Sequence, residues 1–279
     1  MLSKEDWVGR RLIVDKVRDD KVFICGDACH LWVPYAGYGM NAGIADAANL
    51  AWLLAARLEG WGAEGILAAY AAERLPITDQ VSRFAMDHAH AMTETRKSVR
   101  DEIEADGPEA DAYRAAVGKT TYDLNVQQYC CAGLNFGYFY QGSPIIAYDG
   151  EDAPSYTMGE FTPSTVPGAR LPHIWLADRR SLYDAIGPYY TLLRLDPDID
   201  VSGLTNAAAA ACVPLTVLDV SSPEAAELCP HKLILVRPDQ HVAWRGNDIS
   251  ADPGRLVEIV RGARSASKAT LLQADVCPK

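Results

Sequence analysis

An acid set directly behind a glycine, at the end of an apolar run, is the first chemistry this sequence offers. Gly26-Asp27 closes Lys21–Cys25 (KVFIC), and Pro34-x-x-Gly37-x-Gly39-Met40-Asn41-x-Gly43 leads from it into a helical pattern. The Asp27 carboxylate can accept hydrogen bonds from the hydroxyls of a polyhydroxylated cofactor. Small residues let backbone approach a ligand closely, and a helix start presents unpaired N–H groups with partial positive charge. Gly-Asp alone is most often a turn or a cap. The glycine-rich sequel shifts the reading to a ligand site. The candidate binding residues are therefore Gly26, Asp27, Pro34, Gly37, Gly39, Met40 and Asn41. The loop is not a dinucleotide fingerprint, because it reads GxGxxxG and no acid follows about 20 residues on.

Other constellations carry less. Cys25-x-x-x-Cys29-His30 lacks a second ligand pair, so a buried thiol is preferred over a metal site. His88 and His90 fall on different faces of one helix. Cys130-Cys131 forms no CxxC, and neither GxSxG nor HExxH occurs. No catalytic residue and no metal ligand is assigned. The aromatics between Tyr129 and Tyr140 could line an apolar pocket but weigh more as core. His173, Trp175 and Trp244 are read as packing residues.

The elements that position these residues follow from periodicity. Short strands are predicted at Arg11–Lys16 and at Lys21–Cys25, the second continuously apolar as a buried strand would be. A helix is predicted over Asn41–Leu58, with Ile44, Ala47, Ala48, Ala51, Leu54 and Ala55 as its buried face. A second helix begins near Gly65, with a break expected at Pro76, and polar helix continues to about Arg100. A further helix over Asp101–Val117 breaks at Gly107-Pro108, and Asn125–Gly150 reads as extended. Strands are predicted at His173–Leu176, Tyr190–Leu195, Val213–Val220, Lys232–Val236 and His241–Arg245. Helices are predicted at Ser181–Ile186, Leu204–Ala211 and Pro253–Gly262. Arg237-Pro238-Asp239-Gln240 is a hairpin turn. The fold class is α/β. Residues 1–150 form one domain, 151–168 a Pro-rich linker and 169–279 a small second α/β domain, with a loosely ordered tail after Ser265.

Composition narrows the function. The 279 residues carry 26 Lys plus Arg against 37 Asp plus Glu, a net charge of 26 − 37 = −11. An acidic chain without a basic cluster is a poor nucleic-acid binder. No apolar run reaches the roughly 20 residues that span a bilayer. An odd set of seven cysteines without an export signal points to reduced thiols in the cytoplasm.

GDACHLWVPYAGYGMNAGIADAANLAWLLA resembles the second FAD motif of single-component flavin-dependent aromatic hydroxylases. Gly26, Asp27, His30, Pro34, Gly37, Gly39, Asn41, Gly43, Asp46, Asn49, Leu50 and Trp52 match it, and Tyr70, Glu73, Arg74 and Pro76 match the Y-x-x-E-R-x-P that follows. LNFGYFYQGSPII, FTPSTVPGARLPH, SLYDAIGPYYTLLR and LILVRPDQHVAWR resemble the phenol hydroxylase branch. The resemblance implies the C-terminal part of a glutathione-reductase-type FAD-binding domain, followed by a thioredoxin-like domain without redox cysteines. It implies that Asp27 binds the ribityl chain of FAD, that Pro34 lies beside the flavin, and that Gly39, Met40 and Asn41 face its pyrimidine edge. NAD(P)H would reduce the flavin, and O2 and a phenolic substrate would react there. Family members are often homodimers. The N-terminal fingerprint for the ADP half is absent, and Leu53 stands where the family often has Lys. The expectation is the back portion of such an enzyme, which needs an N-terminal half to work. The alternative is a non-catalytic association module with a vestigial half-site.

Overall fold

The structure, a computed structural model, describes residues 4, 8–35, 37–249 and 251–264. The N-terminal part is two small antiparallel ladders and a helical layer. β1 (Leu12–Ile13) pairs with β4 (His30–Leu31), and β2 (Arg18–Asp19) pairs with β3 (Val22–Phe23) across the Asp20-Lys21 turn. Two predicted strands are thus replaced by four two-residue strands. The buried-strand expectation for Lys21–Cys25 fails at Val22, which is 66% exposed. Its ladder neighbour is the polar β2, and among the described residues its side chain stays exposed.

α1 (Tyr38–Leu58) and α2 (Ala68–Ser98) pack together. At 1.5 Å per residue they run roughly 32 and 46 Å. α1 buries Tyr38, Asp46, Asn49, Leu50, Leu53 and Ala56. The face predicted to be buried is instead the outer one, with Ile44 58% exposed and Ala47, Ala48, Ala51 and Ala55 in solvent. α2 passes through Pro76 without ending. Pro76 lies on the exposed side, while Glu73, Arg74, Ile77 and Val81 are buried around it. Tertiary packing therefore outweighs the one lost backbone bond. α3 (Pro108–Asn125) starts at the predicted break, with Pro108 in its first turn, where the missing N–H has no helical partner to lose. α4 (Ala132–Phe136) is a single short helix inside the segment read as extended.

The C-terminal part opens with α5 (Leu182–Ala185) and builds a four-stranded sheet from β5 (Tyr190–Arg194), β6 (Leu215–Asp219), β7 (Leu233–Val236) and β8 (Val242–Gly246). The order is β6-β5-β7-β8, with β5 and β6 parallel and the remaining pairs antiparallel. α6 (Ser202–Ala210) links the parallel pair, α7 (Pro223–Leu228) follows β6, and α8 (Pro253–Val260) packs on α6. β5 and β7 are buried on both faces, which explains the unbroken apolar runs. His173–Leu176 forms only an isolated bridge, Trp175 to Ser181. Trp175 is 59% exposed, so it is not a packing residue as expected; it sits where a strandless hairpin bridges to Ser181. Trp244 does pack, against the main core. The tail after Ser265 lies outside the described residues.

The two parts share one core. Leu50, Leu53, Trp61, Ile66 and Tyr70 cluster with Tyr190, Leu192, Leu235 and Val260. Trp52 and Trp61 meet the Tyr190 ring edge-on at 6.2 and 6.0 Å. Each fully buried aliphatic side chain here stabilises the fold by about 1.5–3 kcal/mol. Backbone also crosses the seam: Ala63 N–H donates to Arg261 at 2.8 Å and Ala147 N–H to Ala243 at 2.8 Å. Among the described residues no helix is long and apolar enough to cross a membrane.

Candidate functional site

The seven candidate residues lie along one path, from the Gly26–Ala28 turn through the Pro34 loop to the first turn of α1. Gly26 has φ +58°, a conformation that side-chain-bearing residues rarely adopt. The turn sits directly on α1, since a Cβ on Gly43 would meet the Gly26 Cα at 3.1 Å. Gly37 caps α1 at φ +68° without a side-chain hydrogen bond to the helix, so no side chain occupies the N–H groups of the first turn. Asn41 turns its amide back to donate to the Gly37 carbonyl at 2.9 Å.

Asp27, Pro34, Gly37, Met40 and Asn41 are exposed, Met40 at 73%, while Gly26 and Gly39 are half-buried. An exposed carboxylate, glycine backbone and an uncapped helix start share one end of α1. That donor and acceptor set fits the ribityl hydroxyls and the electron-rich edge of a flavin. Asp27 and Pro34 make no side-chain contact with each other; they share the path rather than a cluster.

Behind this surface is a polar core that the sequence reading quoted as motif but gave no role. Asp46 on α1 accepts from Gly26 N–H at 3.3 Å, from His30 Nε2 at 2.7 Å and from Arg74 Nε at 2.9 Å. Tyr70 OH donates to the Ile24 carbonyl at 2.8 Å, and Trp32 stacks on His30 at 4.8 Å. Burial alone would raise the Asp46 pKa, but the His30 hydrogen bond and the Arg74 charge outweigh it and hold the carboxyl below its usual range. Burial and the Asp46 charge push the Cys29 thiol up to about 12. Cys29, His30 and Asp46 offer ligand atoms within 4.8 Å of one another. Arg74, paired to the Asp46 carboxylate at 2.9 Å, already sets a positive charge against this cluster.

One turn along α1, Asn49 donates to Glu73 at 2.8 Å. Arg237, from the β7–β8 turn, grips Glu73 through both Nη atoms at 2.5 and 2.8 Å, and reaches Asp239 at 2.6 Å. Its guanidinium lies over Trp52 and Tyr140. The signal that could have found this core was present: polar Asp46 and Asn49, three apart, interrupt an otherwise apolar helix and share a face. His88 is buried and His90 exposed, so they do not meet.

Two family models match the chain: "FAD binding domain" over residues 1–85 and "Aromatic-ring hydroxylase, C-terminal" over 164–263. The FAD-dependent monooxygenase opdD of Penicillium oxalicum is 30% identical over 263 residues, covering 91% of this chain and 48% of that protein. Phenol 2-monooxygenase of a Pseudomonas species is 30% identical over 308 residues, with 95% and 49% covered. Among solved structures, RebC, a rebeccamycin biosynthetic enzyme with reduced flavin, superposes with a TM-score of 0.85 at 36% identity, covering 94% of this chain and 49% of that one. PieE, a flavin-dependent monooxygenase in complex with FAD and substrate, gives 0.77 at 28% identity. The chain spans about half the length of the relatives it matches.

Proposed function

The chain belongs to the FAD-binding monooxygenase family, and we propose that it forms the C-terminal portion of an FAD-dependent aromatic hydroxylase. In this reading residues 1–150 complete an FAD domain, 151–168 link, and 169–279 form a thioredoxin-like unit. The strand order β6-β5-β7-β8, with only β5 and β6 parallel, supports the last assignment. Named relatives act on phenols and on polyketides, so the substrate class is an electron-rich aromatic, with a phenol preferred. O2 and NAD(P)H are the co-substrates.

The observation that carries the proposal is the exposed Gly26-Asp27 turn, fixed by Asp46 against the uncapped start of α1. FAD would supply the redox chemistry and the activated oxygen. Asp27 would hold ribityl hydroxyls, and the Gly39–Asn41 amides would favour negative charge on the flavin ring. The outer face of α1, with Met40, Ile44, Ala51 and Leu58 in solvent, supports a missing N-terminal half that would cover it.

The test is titration of the chain with FAD, followed by flavin fluorescence anisotropy. Saturable micromolar binding that Asp27→Ala weakens at least tenfold supports the half-site. Binding indifferent to Asp27→Ala overturns the role given to this carboxylate. No binding, with or without the N-terminal half of phenol 2-monooxygenase added, overturns the cofactor reading and favours an association module.

A further inference from the structure

We propose that Arg237, in the C-terminal unit, is a positioning residue for the cofactor turn, acting through a buried chain of ion pairs; calling that turn a cofactor site rests on the function proposed above. The chain of contacts is continuous. Arg237, with a fully buried side chain, clamps the Glu73 carboxylate with both Nη atoms. Glu73 accepts from Asn49 on α1 and from Ser143 at 2.6 Å. Its neighbour Arg74 holds Asp46, one helical turn before Asn49, and Asp46 takes the Gly26 N–H. Adjacent α2 residues thus grip adjacent turns of α1, and the β7–β8 hairpin grips α2.

Three features make this a positioning device rather than generic packing. The bidentate fork fixes the orientation of Glu73 as well as its distance, which a point charge does not do. Asp239 braces the guanidinium from its own hairpin at 3.0 and 2.6 Å, so the clamp is rigid before it meets α2. No hydrogen bond joins Arg237 to Gly26 or Asp27 among the described residues, so its action on them runs through Glu73, Arg74 and Asp46, beside its direct contact with α1 at Trp52. Spatial continuity alone does not establish coupling, so the test measures coupling.

The experiment is amide hydrogen exchange by mass spectrometry on the 279-residue chain, comparing wild type with Arg237→Lys, which keeps the charge and loses the fork. The expected result is exchange at least tenfold faster over Gly26–His30, with β5 and β7 protection unchanged. Arg194→Lys, which alters the Arg194–Asp219 pair elsewhere in the same unit, should leave Gly26–His30 as in wild type. Unchanged protection at Gly26–His30 in Arg237→Lys overturns the proposal, and so does a uniform rise across the whole chain, which would mean a global stabilising role only. If Arg237→Lys does not fold, Glu73→Gln with Arg237→Met, which removes the charge pair from both sides, is read in the same way. A wild type that fails to bind FAD while showing the expected exchange pattern defeats the cofactor reading and leaves the coupling standing.

Discussion

Removal of the Glu73 carboxylate should be among the most costly single changes in this protein. Glu73→Ala strips Arg237 of two charge-assisted bonds, at 2.5 and 2.8 Å, leaves Ser143 without its acceptor, and leaves Asn49 with the 3.5 Å contacts to Tyr140 and Asp239. Breaking a buried ion pair from one side costs about 3–5 kcal/mol, because the other charge stays in the interior. Asp239 still pairs with Arg237, which argues for the lower end, about 3 kcal/mol. The orphaned Ser143 hydroxyl adds about 1 kcal/mol, for a total of about 4 kcal/mol. At roughly 2–4 °C per kcal/mol for a chain of this size, the melting midpoint should fall by about 8–16 °C. Circular dichroism melts of Glu73→Ala, Arg237→Met and the double variant measure this. The double variant should be less destabilised than the sum of the singles, since no lone charge remains. Glu94→Ala, which breaks an exposed pair with Lys97, should leave the midpoint near wild type. If Glu73→Ala melts with Glu94→Ala, the buried network does not hold α2 to the C-terminal hairpin and the reasoning fails.

Three further outcomes are expected. Burial would raise the carboxyls of Asp239 and Asp46, but Arg237 and His241 around the first, and His30 and Arg74 around the second, hold both below their usual range. Their stabilisation is therefore complete above the unfolded pKa of about 4 and is lost as pH falls below it. The urea midpoint should drop between pH 5 and pH 3, and a midpoint that rises on acidification contradicts the assignment. Gly133→Ala should destabilise by about 1–3 kcal/mol, because a Cβ there collides with the Thr157 and Glu160 carbonyl oxygens; equal urea midpoints for variant and wild type would refute this. Ile44→Glu, on the open face of α1, should reduce self-association in light scattering while shifting stability by no more than about 0.5 kcal/mol.

The readings that held are those in which local chemistry decides. Gly26-Asp27 makes a turn, the helix break falls at Gly107-Pro108, and Arg237–Gln240 turns a hairpin, each for a backbone reason contained within a few residues. The apolar runs of β5 and β7 were legible because strands buried on both faces have no alternation to disguise. The readings that failed needed partners from elsewhere. Val22 looks like buried strand, but its ladder here ends at β2. Tyr138 and Tyr140 look extended, yet they pack as loop against Arg74 and His241 without entering a sheet.

The misreading of α1 has the most physical content. An apolar stripe at helical spacing is ordinarily the inward one, yet here Asp46 and Asn49 face inward and the alanine-rich stripe faces out. Two buried polar residues on a helix are tolerated only when partners satisfy them. Glu73 and Arg74 on α2 are those partners, and Arg237 in turn neutralises Glu73. Those partners hold Asp46 and Asn49 inward beside Leu50, Leu53 and Ala56, and among the described residues the outer stripe stays exposed. α1 thus carries an exposed apolar stripe on one side and, on the other, Leu50, Leu53 and Ala56 beside the Asp46–Arg74 and Glu73–Arg237 ion pairs.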